Sequence, residues 1–138
     1  MLKKLTAVLG AVAMAGAVSV MSAPQASALA ASPTALCGSG YSVVDSEKLI
    51  NREVWTYLLY NSSTGYNCVV TVRGESGPAV KMSARLQVQG SAEKNDTGSY
   101  TKYAGPVYAY AAGKCVRWGG WFSESDQSSY FSDWSHCG

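Results

Sequence analysis

Four cysteines, Cys37, Cys68, Cys115 and Cys137, follow an N-terminal segment built like an export signal. Together these features constrain the fold more than anything else in the chain. Lys3 and Lys4 form a charged start, Leu5 to Val20 an apolar, alanine-rich stretch, and Ala26-Ser27-Ala28 a small-residue cleavage site. An exported chain meets an oxidising compartment, where an even number of cysteines in a small domain reads as disulfides. Three connectivities are open, of which Cys37 with Cys68 and Cys115 with Cys137 is favoured; each bridge closes a loop that contributes about 3–4 kcal/mol in the chain-entropy treatment. The second would tie down a serine-rich C-terminus that otherwise frays. Zinc is the rival use of cysteine. No CxxC pair exists, His136 is the sole histidine, and spacings of 31, 47 and 22 residues suit no compact metal knuckle, so no metal or cofactor is expected.

Processing after Ala28, with Ala30 as the near competitor, divides the chain into a signal over 1–28 and a single disulfide-bonded β domain over 29–138, about 110 residues long. The apolar run of the signal is short for a bilayer span and is followed by Ser22, Pro24 and Gln25 rather than a basic flank. The product is therefore expected to be released, with no membrane span in its mature form. Neither a lipid-attachment cysteine at the cleavage site nor a sorting tail is present, so a covalent anchor is not indicated. Lys3 and Lys4 are two of 11 basic residues, and without them the remainder equals the 9 acids. Lys48, Arg52, Arg73, Lys81, Arg85, Lys94, Lys102, Lys114 and Arg117 stand singly among acids, which argues against a nucleic-acid partner.

The domain reads as strands separated by turns. Tyr41 to Ser46 and Glu53 to Asn61 are rich in Val, Trp and Tyr, and Asn61-Ser62-Ser63-Thr64-Gly65 turns the chain back into Tyr66 to Arg73. Val80, Met82, Ala84, Leu86 and Val88 alternate with Lys81, Ser83, Arg85, Gln87 and Gln89, one buried face against one wet face. Gly90 to Ser99 is polar and reads as a loop, whereas Val107 to Ala111 and Lys114 to Phe122 read as strands around Gly113. No helical stripe is sustained beyond the signal. Six or so short strands at hairpin spacing imply an all-β fold, a small antiparallel β-sandwich or barrel stapled by two disulfides.

All 4 Trp, 9 Tyr and 2 Phe lie beyond the signal. Strand packing accounts for most of them, since Trp and Tyr supply large buried area and tolerate half-exposure. A sharper use is a sugar-stacking platform of Trp118, Trp121, Tyr108 and Tyr110, with Gly119-Gly120 admitting a flat ligand. Those glycines equally suit a bulge or a barrel corner. Catalytic groups are sparse. His136 beside Cys137 reads as a surface residue next to a bridge rather than as a base. Glu124 with Asp126, or Asp45 with Glu47, could share a strand face, but neither pair has a sequence-distant acid placed across a cleft from it. No catalytic residue is assigned. Asn61-Ser62-Ser63 and Asn95-Asp96-Thr97 match the glycosylation pattern and read better as turns.

The blocks Cys37-Gly38-Ser39-Gly40-Tyr41, Asn67-Cys68-Val69-Val70-Thr71-Val72, Tyr103-Ala104-Gly105-Pro106-Val107, Gly113 to Gly120 and the closing His136-Cys137 together resemble the spore-associated protein A family of filamentous, spore-forming actinobacteria. The resemblance spans essentially the whole domain and implies a small exported protein found with spores and aerial hyphae, without an established enzymatic activity. The leading expectation is accordingly a non-enzymatic protein of the spore or cell surface, whose partner is the spore wall or cell-wall glycan. A secreted glycan-binding module is the second. A small enzyme or protease inhibitor is the third, with Gly74 to Ala79 or Lys94 to Tyr100 as the reactive loop.

Overall fold

The computed structural model describes residues 31–49, 53–123 and 128–138. The signal over 1–28, both cleavage points, and the Glu124 and Asp126 pair lie outside the described residues. A five-residue helix, α1 (Pro33–Cys37), precedes eight strands: β1 (Ser42–Lys48), β2 (Val54–Asn61), β3 (Tyr66–Arg73), β4 (Val80–Val88), β5 (Lys94–Tyr100), β6 (Tyr103–Tyr110), β7 (Val116–Phe122) and β8 (Ser129–Phe131). They build two four-stranded antiparallel sheets, ordered β1-β2-β3-β6 and β5-β4-β7-β8. The fold is all-β as expected and, of sandwich and barrel, is a sandwich; its disulfides are Cys37–Cys68 and Cys115–Cys137.

The alternation read in β4 sets the core. Met82, Ala84, Leu86 and Val88 point inward and meet Leu58, Val69 and Val107 of the first sheet and Val116, Trp118 and Phe122 of β7. At the centre the sheets approach through Thr71, whose hydroxyl donates across the sandwich to the Ser83 carbonyl at 2.9 Å and lies 3.3 Å from Thr56 Oγ1. Gly120 makes room for it: a Cβ there would clash with Thr71 Oγ1 and the Ser83 carbonyl. The β4–β7 register runs unbroken through Gly119 and Gly120, so the pair is neither a bulge nor a corner.

Gly90 to Ser99, read as a loop, contains most of β5. Its residues are polar because β5 is the edge of its sheet, paired only with β4, and it alternates between exposed and half-buried positions. Asn95-Asp96-Thr97 is therefore strand rather than turn, and Lys94 to Tyr100 is no protruding inhibitor loop. Asp96 fastens β5 to β6 across the two sheets. It accepts the Tyr100 hydroxyl and, at 2.8 Å, the Gly105 N–H. The hydrogen bond from the Tyr100 hydroxyl to Asp96, with burial second, raises the Tyr100 pKa above its ordinary value. The expected turn at Asn61 is present, with its side chain accepting the Ser63 N–H at 3.0 Å and its carbonyl the Gly65 N–H at 2.8 Å. Gly65 takes φ +78°, a left-handed conformation that favours glycine.

At one end of the sandwich Arg73 gathers two loops. Its Nη1 donates to the carbonyls of Pro78 at 2.9 Å and Thr101 at 3.0 Å, while the guanidinium sits 5.5 Å from the Phe122 ring centre. On the outer face of the second sheet, Arg85 and Arg117 lie 4.1 and 4.5 Å from the Phe131 ring centre, and Arg117 lies 5.5 Å from that of Trp134. This stack fastens the three-residue β8, and each desolvated cation–ring contact contributes on the order of 1 kcal/mol. Glu93 completes it with two hydrogen bonds from Arg85, at 2.8 and 2.9 Å.

Gly120→Ala should destabilise by about 1–3 kcal/mol through overpacking, and Thr71→Ala in the same chain should relieve part of that loss; urea unfolding of the single and double variants measures both. The Arg85 hydrogen bonds hold the Glu93 carboxyl below its ordinary pKa. The stability it contributes is present above the unfolded value and is lost as pH falls through the folded one. Glu93→Gln should therefore flatten the acid limb of a stability–pH curve by up to about 1 kcal/mol, the size of a partly screened pair.

Candidate functional site: the tyrosine face of the first sheet

The first sheet is apolar on both sides. On β2, Val54 and Leu58 point into the sandwich, while Trp55, Tyr57 and Leu59 point outward; on β3, Cys68, Val70 and Val72 also point outward. Much of this outer surface is covered. Pro33 in the first turn has a backbone already suited to a helix, and Gly38 at φ +110° ends it, so α1 is short enough to fold back over the sheet. The Cys37–Cys68 bridge pins it there, with Leu36 and Tyr41 packed into the same cluster.

Beyond α1 the outer face continues as a row of tyrosines. Tyr108 donates its hydroxyl to the Cys37 carbonyl at 2.7 Å, which locks the row to the helix. The Tyr41 and Tyr108 ring centres are 5.7 Å apart. Tyr66 and Tyr110, paired across β3 and β6, meet edge to face at 5.6 Å. Tyr66 is 42% exposed and Tyr110 57%, large values for aromatic side chains. Burial, followed by the neighbouring Tyr108 and Tyr66, raises the Tyr41 pKa. The row is aromatic and hydroxyl-bearing, a surface able to pack on apolar faces while exchanging hydrogen bonds at its edges.

The four residues expected as a sugar platform do not come together. Trp118 is 1% exposed and points into the sandwich, where it packs edge-on against Tyr130 at 5.3 Å. Trp121, three residues on, points to the opposite side because strand side chains alternate, and it lies half-buried on the outer face of the second sheet. Tyr108 and Tyr110 lie on the outer face of the first sheet, so only these two of the set share a surface. Tyr41 and Tyr66 were missed as members, since their approach depends on the Cys37 bridge and on the β3–β6 register.

The acid pair Asp45 and Glu47 lies on β1, and Asp45 meets His136 with Oδ2 and Nε2 2.9 Å apart. His136 is thus a surface residue beside a bridge that has also acquired a carboxylate from 91 residues away. Burial first, then the carboxylates of Glu47, Asp45 and Asp133, raise the Tyr130 pKa. Among the described residues no group of three or more His, Cys, Asp or Glu side chains could hold a metal ion, and no helix is long and apolar enough to cross a membrane.

Fold and surface together define a small disulfide-stapled β-sandwich with an aromatic outer face. Over 119 residues the chain is 45% identical to Spore-associated protein A of Streptomyces coelicolor, a match covering 83% of this chain and 77% of that protein. The chain belongs to the spore-associated protein A family. No protein-family model matches it, and no solved structure does.

The two tryptophans should separate cleanly in denaturant titrations. Trp118→Ala should cost about 3–5 kcal/mol, as large core truncations do. Trp121→Ala should cost about 1 kcal/mol or less, as expected of a partly exposed site.

Proposed function

We propose that this chain is an exported, non-enzymatic component of the spore or aerial-hypha surface, held by non-covalent contact through its tyrosine face. The observation that carries the reading is the 45% identity to a protein named Spore-associated protein A. Two further features support it. Both disulfides suit an oxidising exterior rather than a reducing cytosol. The exposed row of Tyr66, Tyr108 and Tyr110 supplies a contact surface that does not depend on salt-sensitive charge pairing.

A second reading is a secreted glycan-binding module. It is favoured by the same row, because tyrosine rings stack on the apolar faces of sugars and their hydroxyls bond to sugar hydroxyls. The two readings differ in what Tyr110 touches.

A sporulating culture separated into medium, detergent wash of the spore surface and stripped spores provides the test. The protein should be enriched in the wash, at a mass four hydrogens below that of the reduced processed chain. The double variant Tyr66→Ser/Tyr110→Ser should shift to the medium while keeping its unfolding midpoint. Recovery of the wild type almost wholly from the medium would remove the spore-surface reading. Retention on purified cell-wall glycan that disappears with Tyr110→Ala supports the module; unchanged retention of that variant removes the tyrosine row as a sugar site.

A further inference from the structure

At the end of the sandwich opposite Arg73, a cavity of about 310 Å³ opens between the inner face of the first sheet and the C-terminal segment. Its volume falls at the lower limit of small-molecule sites, which run from about 300 to 1,000 Å³. Tyr60 near the end of β2, Asn67 at the start of β3 and Ala111 just after β6 line its inner side, and Val44, His136 and Cys137 stand around it with Gly113 and Gly138. None of this belongs to the tyrosine row, which occupies the other face of the same sheet.

Three independent features of the chain converge on the cavity. The β1–β2 register shifts between Val43 and Asp45, so Val44 is a bulged residue, and bulges re-aim side chains. His136 has φ +52°, the sole non-glycine residue in the left-handed region among the described residues. The segment that carries it is fastened three times, by the Cys115–Cys137 disulfide, by the antiparallel bridge of Ser135 with Val116 and by the contact of His136 with Asp45. A C-terminal tail needing only an end would not require a bulge, a left-handed histidine and a side-chain link to β1.

The lining defines the ligand. Val44, Ala111 and the Tyr60 ring offer apolar contact. His136 turns Nε2 to the Asp45 carboxylate, which leaves Nδ1 as the ring nitrogen open to a ligand. Asn67 donates one Nδ2 hydrogen to the Leu59 carbonyl at 3.1 Å, which leaves Oδ1 as an acceptor and the second Nδ2 hydrogen as a donor. These groups call for a ligand that carries hydroxyls, which both donate and accept. Asp45 offsets any positive charge on His136, so an anion gains little, and the Asp45 carboxylate is already engaged, so a cation gains little. We propose that this cavity binds one neutral, hydroxyl-bearing ring of hexose size, its apolar face against Tyr60 and Val44 and its hydroxyls toward His136 and Asn67.

The test uses the folded, disulfide-bonded chain, isotopically labelled and titrated with glucose and with N-acetylglucosamine while NMR spectra are recorded. Saturable shifts should appear at Ala111, Asn67 and His136. Val44→Trp fills the cavity from an exposed bulge and should abolish them. Asp45→Asn removes the group that orients His136 and should weaken binding about tenfold, the equivalent of about 1.4 kcal/mol. Tyr110→Ala should leave the affinity unchanged. Absence of saturable shifts at these residues with both sugars overturns the proposal, as does undiminished binding by Val44→Trp. Binding that disappears with Tyr110→Ala but survives Asp45→Asn would place the sugar on the tyrosine row instead, and would overturn it as well.

Discussion

A sheet with apolar side chains on both faces must be covered twice, and the rest of this structure follows from that requirement. The inner face of the first sheet is covered by the second sheet, as in any sandwich. Its outer face, with Leu59, Cys68, Val70 and Val72, would otherwise be wet. A five-residue helix has too little internal hydrogen bonding to persist alone. The Cys37–Cys68 bridge makes such a small element serviceable, because it holds α1 against the surface that needs cover. The helix is also too short to cover everything. The tyrosines beyond it have hydroxyls that accept solvent and rings that extend the apolar surface, so the candidate contact face is what remains once α1 has taken its place.

The second constraint is the separation of the sheets. Thr71 bonded across the core to Ser83 draws them close, and Gly120 is the residue that permits it. Large side chains then flank this pinch: Trp118 against Tyr130 on one side, Met82 and Phe122 on the other. The polar contact is central and the bulk peripheral, the reverse of a core filled outward from its middle. The two glycines that look like an opening for a ligand are thereby consumed by packing.

Much of this architecture is legible in the chain. The alternation in Val80 to Gln89 reports the inner and outer faces of β4 directly, and the Asn61 to Gly65 cluster reports a hairpin because turn chemistry is local. Where the reading departs from the structure, the deciding physics is non-local. The polar run around Asp96 resembles a loop, yet an edge strand needs apolar contact on only part of its surface, and Asp96 finds one partner in Tyr100 of its own strand and the other in the Gly105 N–H of β6. Trp118 and Trp121 look like one platform because they are close in sequence, although a separation of three along a strand places them on opposite sides. Tyr41 and Tyr66 join Tyr108 and Tyr110 only once the Cys37–Cys68 bridge and the β3–β6 register both exist, and of these the bridge is legible in the chain whereas the register is not. The meeting of His136 with Asp45 is the extreme instance, since it joins the first strand to the last few residues.

The two long margins of the sandwich are built differently. Where β5 passes into β6 the chain itself crosses from one sheet to the other, and Asp96 and the Lys94 ammonium, 3.3 Å from the Tyr108 carbonyl, sew the crossing shut. Opposite, the edge strands β1 and β8 have no such crossing between them, and the side-chain link from His136 to Asp45 stands at that margin. The molecule is therefore built like a book, with a spine at β5–β6 and a clasp at the C-terminus. Loss of the His136–Asp45 contact would therefore leave the Asp96 and Lys94 contacts of the spine and the Cys37–Cys68 cover in place, because none of them shares a residue with it.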